Sequence, residues 1–158
     1  MSSDAGDAIH VTRLGSGPRV VLVHGSVANG LDTFSGQEPL ASEFSLELVD
    51  RRGFGRSPAR DGSVDFERDA DDLVELLERD GGAHLVGHSY GAIVSLLATA
   101  KRPAAVRSLV VIEPPAFGLA PEDPVVARVG SALRPLFPAE AGLTPEAWYV
   151  DFLGRLGL

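Results

Sequence analysis

Gly87-His88-Ser89-Tyr90-Gly91 is the stretch whose residue types and spacing point to covalent chemistry. It follows the apolar run Ala83-His84-Leu85-Val86, and an alanine-rich helical pattern from Ala92 to Ala100 comes after it. The five letters alone also fit a glycine-rich turn with a capping serine. The strand before and the helix after favour a nucleophile elbow. Such a turn strains the backbone of the serine, and a side chain beside it would clash, so glycine stands two residues before and two after. The turn lifts the hydroxyl clear of the sheet and sets it at a helix N-terminus, where free N–H groups favour developing negative charge. A serine hydroxyl remains a weak nucleophile until a base takes its proton, and the base needs an orienting acid.

The elements that must position this serine can be read along the chain. Residues 1–7 read as a frayed tail, Ala8 to Leu14 as an edge strand, and Gly15-Ser16-Gly17-Pro18 as a turn. Arg19 to His24 is a nearly continuous apolar run ending at Gly25, the pattern of a strand covered on both faces. Residues 26–44 read as a loop leading into a weak helix near Gly36 to Glu43, before a strand from Ser45 to Asp50. Phe66, Ala70, Leu73, Val74, Leu76 and Leu77 have amphipathic helical spacing. Asp65 or Ser63 stands near the start of that helix, and Gly81-Gly82 closes it. A strand at 83–88, a helix at 90–101 and a strand from Arg107 to Ile112 follow, with Pro103 between the last two. Alternating strands and helices predict a parallel sheet of right-handed crossovers. After Ile112 the character changes, because seven of the eleven prolines lie between 114 and 145. Two helices are expected there, Pro124 to Leu136 and Pro145 to Leu156, with Asp123 and Thr144 as N-caps.

Three stretches together carry a family resemblance: His24-Gly25, the elbow, and the loop Asp50-Arg51-Arg52-Gly53-Phe54-Gly55-Arg56-Ser57. They resemble the α/β-hydrolase superfamily, specifically its soluble serine hydrolases with a helical cap, over residues 8 to 158, the N-terminal portion of such a protein. The resemblance implies a mostly parallel sheet of about five strands with flanking helices, lacking the family's last strands. It divides the chain into a core at 8–115 and a partial helical cap at 116–158. It also implies that Ser89 is the nucleophile and that the backbone N–H of Tyr90 is one oxyanion donor. The second donor would be the N–H of Ser26, with Val27 next in line. The serine nucleophile argues against the dehalogenase and epoxide-hydrolase branches. Hydrolysis of an ester, thioester, lactone or carbon–carbon bond in a small apolar substrate remains, with no cofactor and no metal implied.

In this fold the order is serine, then acid, then histidine. The four histidines here, His10, His24, His84 and His88, all precede Ser89. The expectation is a chain that ends within the cap, without the strands that carry acid and base. His88 adjoins the serine but is expected to pack beside the elbow, and His24 to support the oxyanion loop. Both, with Gly25 and Val27, are set among the residues lining the substrate side. His84 and His10 read as plain structure. Glu113, ending the strand after the elbow helix, is the weak candidate for the acid. Asp50 and Arg52 are expected to hold their own loop. Tyr90 fits either pocket or core. Phe117, Leu119, Leu133, Phe137 and Trp148 could form an apolar acyl pocket or ordinary cap packing.

Length, 158 residues, fits one ordinary domain, and 44% apolar residues suffice for a packed core. The net charge of −8 and the lack of a basic stripe argue against nucleic acid. No cysteine is present, which excludes disulfides and thiolate metal sites. No signal peptide is read at Met1 to Asp7, and no apolar run reaches a membrane span, so a cytoplasmic protein without membrane partners is expected. Three functions compete: a serine hydrolase, a catalytically inactive remnant that binds a ligand or partner, and a chain completed by a second polypeptide supplying acid and histidine. The strand 107–112 is apolar, β-branched and uncharged from Ser108 to Ile112, and is expected to lie at a sheet edge. Dimerisation or aggregation through it is the expected partner contact.

Overall fold

The computed structural model describes residues 8–60, 64–136 and 145–156. The expected tail at 1–7, Ser63, Phe137 and Thr144, and the side chains of Leu136, Trp148 and Leu156, lie outside the described residues. The chain divides into two compact units. One runs to Arg60 and resumes from Asp65 to Pro115; the other holds Asp61–Val64 and Ala116–Leu158.

The first unit is a five-stranded sheet of β1 (Val11–Leu14), β2 (Arg19–Val23), β3 (Ser45–Val49), β4 (Ala83–His88) and β5 (Val106–Ile112). The spatial order is β1-β3-β2-β4-β5. Only β1 runs antiparallel, pairing with β3 from Val11↔Val49 to Leu14↔Leu46. The remaining pairs are parallel, as alternating strands and helices require.

Side-chain alternation in β2 and β3 feeds two cores. Val21, Val23, Val49 and Leu85 pack against α2 (Phe66–Arg79) and α3 (Tyr90–Lys101) through Ala70, Leu73, Leu77, Val94 and Ala98. Leu22, Leu46, Leu48 and Phe34 form the other cluster, with Val20, Phe44 and Val86 against it. Helix α2 is amphipathic as its spacing predicts. Asp65 caps it by accepting from the N–H groups of Glu67 and Arg68, at 3.0 and 3.1 Å.

Two sequence expectations change in detail. The helix expected near residues 36–43 is instead a short α1 (Gly30–Phe34) followed by a 3-10 stretch over Ser35–Ser42. Pro39 stands inside that stretch and lacks the N–H that an α-helix would use there. Asn29 starts α1 by accepting from Asp32 N–H at 2.9 Å. The helix expected at 124–136 is α for Pro124–Leu133 (α4) and tightens to 3-10 over Arg134–Leu136.

The second unit holds α4 and α5 (Pro145–Leu156). Asp123 caps α4 through Val125 N–H and Val126 N–H, at 2.8 and 3.0 Å. Within this unit Phe117 lies over Gly130, where an added Cβ would meet its ring at 3.8 Å. Among the described residues no helix is long and apolar enough to cross a membrane.

Candidate active site

Ser89 sits between the end of β4 and the first turn of α3 with φ 54° and ψ −120°. Only Ser89 and Glu113 among the described non-glycine residues have positive φ. Such backbone costs about 1–3 kcal/mol and persists only where the surroundings hold it. Here β5 does so: Ser89 N–H donates to Ile112 C=O at 2.9 Å, and Glu113 is the next residue.

The flanking glycines have separate causes. A Cβ on Gly87 would lie 2.5 Å from Gly91 C=O and 2.6 Å from Ser95 Oγ, inside the turn itself. A Cβ on Gly91 would lie 2.2 Å from Val23 C=O and 2.5 Å from His24 C=O. The first turn of α3 therefore rests directly on the backbone at the end of β2.

The loop after β2 meets the elbow at Gly25. A Cβ there would come 3.1 Å from Ser89 Cβ and 3.3 Å from His88 Nδ1. Gly25 is buried, Ser26 half-buried, and Val27 exposed. Serine, helix N-terminus and the loop's backbone thus lie side by side, an arrangement able to stabilise an oxyanion.

The placement of His24 corrects the expectation that it lines the substrate side. It is 0% exposed. Its Nε2 accepts from Arg51 N–H at 3.0 Å, which makes Nδ1 the donor to Gly25 C=O at 2.7 Å. Phe54 closes edge-on at 4.8 Å. Burial, then the Arg51 charge, hold its pKa down to about 4, against the Gly25 bond and the carboxylates of Asp50 and Asp69. His24 is a neutral strut of the loop.

Arg51 is the residue that sequence reasoning missed. Its guanidinium donates to His24 C=O at 3.1 Å and to Gly25 C=O at 2.7 Å, and pairs with Asp69 at 2.9 Å. It lies over the rings of Tyr90 and Phe54, at 4.1 and 4.7 Å. One cation thus ties the loop, the elbow helix and α2 together. A signal for it exists. Asp69 stands four residues before Leu73 on the buried stripe of α2, and a carboxylate there calls for a buried cation. Tyr90 takes the core role, buried and stacked on Phe66 at 4.2 Å. Its hydroxyl pKa is raised, first by burial and then by Asp69.

Asp50 and Arg52 hold their loop. Asp50 accepts from Gly30 N–H and Arg56 N–H, both at 3.0 Å, with His10 Nδ1 at 3.2 Å. A Cβ on Gly55 would collide with this carboxylate at 2.2 Å, which accounts for that glycine in the motif. Arg52 makes a two-pronged pair with Asp72 at 2.7 and 2.8 Å. His84 meets Ser108 Oγ at 2.8 Å, away from the serine.

His88 and Glu113 flank the elbow. His88 Nε2 stands 3.7 Å from Glu113 Oε2, and the Glu113 side chain is 83% exposed. Phe117 packs in its own unit, as does buried Leu133, whereas Leu119 is 86% exposed. An open apolar groove of about 520 Å³ runs along the sheet face opposite α2 and α3, with Leu22, Phe34, Phe44, Val86, His88 and Ile112 among its walls.

A mostly parallel sheet, a strained serine on a strand-to-helix turn and a facing loop together have the form of an alpha/beta hydrolase. The chain belongs to the alpha/beta hydrolase family, whose model matches residues 20–157. It is similar to the pimeloyl-[acyl-carrier protein] methyl ester esterase of Aeromonas salmonicida, 34% identical over 123 residues, covering 76% of this chain and 47% of that protein. Among solved structures, a thermophilic esterase from Thermogutta terrifontis superposes with a TM-score of 0.63 at 28% identity, over 81% of this chain and 48% of that one. An epoxide hydrolase from Bacillus megaterium superposes with a TM-score of 0.74 at 18% identity, over 84% and 50% of the two chains, a likeness of fold alone. The chain spans less than half the length of the curated relatives it matches first.

Proposed function

We propose that these residues carry the nucleophilic part of a serine hydrolase acting on an ester-like bond of a small, largely apolar substrate. The observation that carries the reading is Ser89 itself, held at φ 54° at the N-terminus of α3 with Gly25 packed against its Cβ. The esterase relatives support an ester over other acyl bonds. In this reading Ser89 Oγ attacks the carbonyl carbon and loses its proton to a base. The carbonyl oxygen becomes the oxyanion, met by the backbone N–H groups of Tyr90 and Ser26. Collapse expels the alcohol, and water then releases the acid. Glu113 is the acid within reach of the elbow, and His88 its neighbour.

Among the described residues Ser89 Oγ makes no hydrogen bond to a histidine. His24 is spent on Arg51 and Gly25, and His84 on Ser108. A fluorophosphonate probe tests the nucleophile. It should label the chain slowly and at Ser89 alone. Labelling of equal strength in Ser89→Ala would remove the assignment.

A further inference from the structure

The peptide that joins Gly25 to Ser26 is held by its oxygen. Gly25 C=O accepts from Arg51 Nη2 and from His24 Nδ1, each at 2.7 Å. Both bonds trace to Arg51. Its guanidinium supplies the first. Its backbone N–H occupies His24 Nε2 at 3.0 Å, which keeps the ring proton on Nδ1 for the second. The peptide is trans, so its N–H points opposite to its C=O. With the oxygen drawn in toward Arg51 and His24, the Ser26 N–H is turned away from them. That N–H makes no hydrogen bond among the described residues, and Ser26 is half-buried. Glycine stands at 25 because an added Cβ would crowd Ser89 Cβ at 3.1 Å. A glycine also accepts backbone angles closed to other residues, so by itself it would let this peptide turn over. Turned over, the peptide would offer an oxygen where an oxyanion needs an N–H. It would also leave two buried donors, Arg51 Nη2 and His24 Nδ1, without an acceptor.

We infer that Arg51 is a positioning residue for the oxyanion site: it fixes the Gly25–Ser26 peptide so that Ser26 N–H is free for the substrate oxygen and Gly25 C=O is withdrawn. The use made of that N–H rests on the serine-hydrolase reading above; the orientation of the peptide does not. Arg51 can serve as the fixed point because it is itself held on every side. It is 4% exposed, Nη1 bonds Asp69 at 2.9 Å, and Nε bonds His24 C=O at 3.1 Å. Its guanidinium also lies 4.1 Å over the ring of Tyr90, the residue whose N–H is the other donor. One side chain therefore touches both stretches of backbone that would meet the oxyanion. It acts through the peptide and not on the reacting atoms. The Tyr90 N–H depends on it less, because the first turn of α3 and the bond from Ser89 N–H to Ile112 C=O already hold the elbow.

The test is NMR of the isotope-labelled 158-residue chain, wild type beside Arg51→Met combined with Asp69→Leu, with thermal melts as the folding control. The double change removes the buried cation together with its carboxylate, so neither is left unpaired by the other's loss. In the free wild type the Gly25 carbonyl carbon should resonate downfield, as an acceptor of two hydrogen bonds, and the variant should move it upfield. After reaction with a fluorophosphonate, the amide protons of Ser26 and Tyr90 should both move downfield in the wild type as they meet the phosphonyl oxygen. In the variant Tyr90 should still move and Ser26 should not, and labelling of Ser89 should slow about tenfold or more. A general loosening of the structure would not separate the two amides. A folded variant with the wild-type Gly25 carbonyl shift, the wild-type Ser26 response and unchanged labelling would overturn the inference. Should the variant not fold, the wild type decides: a Gly25 carbonyl without the downfield shift, or a Ser26 amide that stays put while Tyr90 moves, overturns it equally. Label retained in Ser89→Ala would strike the serine reading instead, and the Gly25 carbonyl would still decide how Arg51 sets the peptide.

Discussion

At the scale of single residues, the site depends on a histidine that never titrates in the folded protein near neutral pH. His24 is neutral, buried and bonded through both nitrogens, with its pKa lowered to about 4. Unfolded, the same side chain titrates near its ordinary 6.5. The unfolded chain therefore binds the extra proton first as pH falls. The contribution is complete above about pH 6.5 and is lost progressively down to about pH 4. It amounts to at most about 3 kcal/mol. His24→Gln retains an acceptor for Arg51 N–H without the titration. Urea unfolding should show the variant weaker at pH 7.5 but with a flatter loss of stability from pH 6.5 to 4. An unchanged slope would show that other groups govern acid sensitivity. The strained turn at Ser89 was legible because glycine spacing reports backbone collisions directly. The role of His24 was legible only in part. Its place at the end of an apolar strand fits a strut and a ligand contact equally, and only the Arg51 N–H on Nε2 separates them.

Among elements, α2 is the one that holds the site without contributing to its chemistry. Its Asp69 is 4% exposed, bonded to Arg51 at 2.9 Å and to Arg60 at 3.0 Å, and through Arg51 it anchors the loop after β2. Asp69→Ala would leave the Arg51 guanidinium buried without its carboxylate, at a cost of about 3–5 kcal/mol. Combining Arg51→Met with Asp69→Leu removes both charges and should cost less than the sum of the two single changes in denaturant unfolding. Strict additivity would show that the two act independently. The strands and the helices α2, α3, α4 and α5 were legible because buried strands read as apolar runs and amphipathic helices as a 3.6-residue stripe. The segment 30–42 was not. Pro39 and a helix of one short turn leave no period long enough to read, and the start signal is a single Asn29 reaching Asp32. Arg51 was missed for a different reason. An arginine just past a strand reads as a solvated loop residue, and its burial depends on an aspartate 18 positions away.

Taken whole, the described residues hold the elbow in place, and no base among them is hydrogen-bonded to Ser89. The purified 158-residue protein should therefore hydrolyse p-nitrophenyl acetate about four to six orders of magnitude more slowly than a serine hydrolase with its full triad. A kcat near about 1 per second would mean that a base is present, since that is the low end for working enzymes. His88→Ala would then be the first variant to make, because His88 adjoins Ser89 and contacts Glu113. The seat of Gly91 on the carbonyls of Val23 and His24 has one more consequence. At that seat the serine's turn meets the end of β2 through peptide oxygens against a bare Cα. Gly91→Ala should therefore push the first turn of α3 off the end of β2 and shift Ser89 relative to the facing loop.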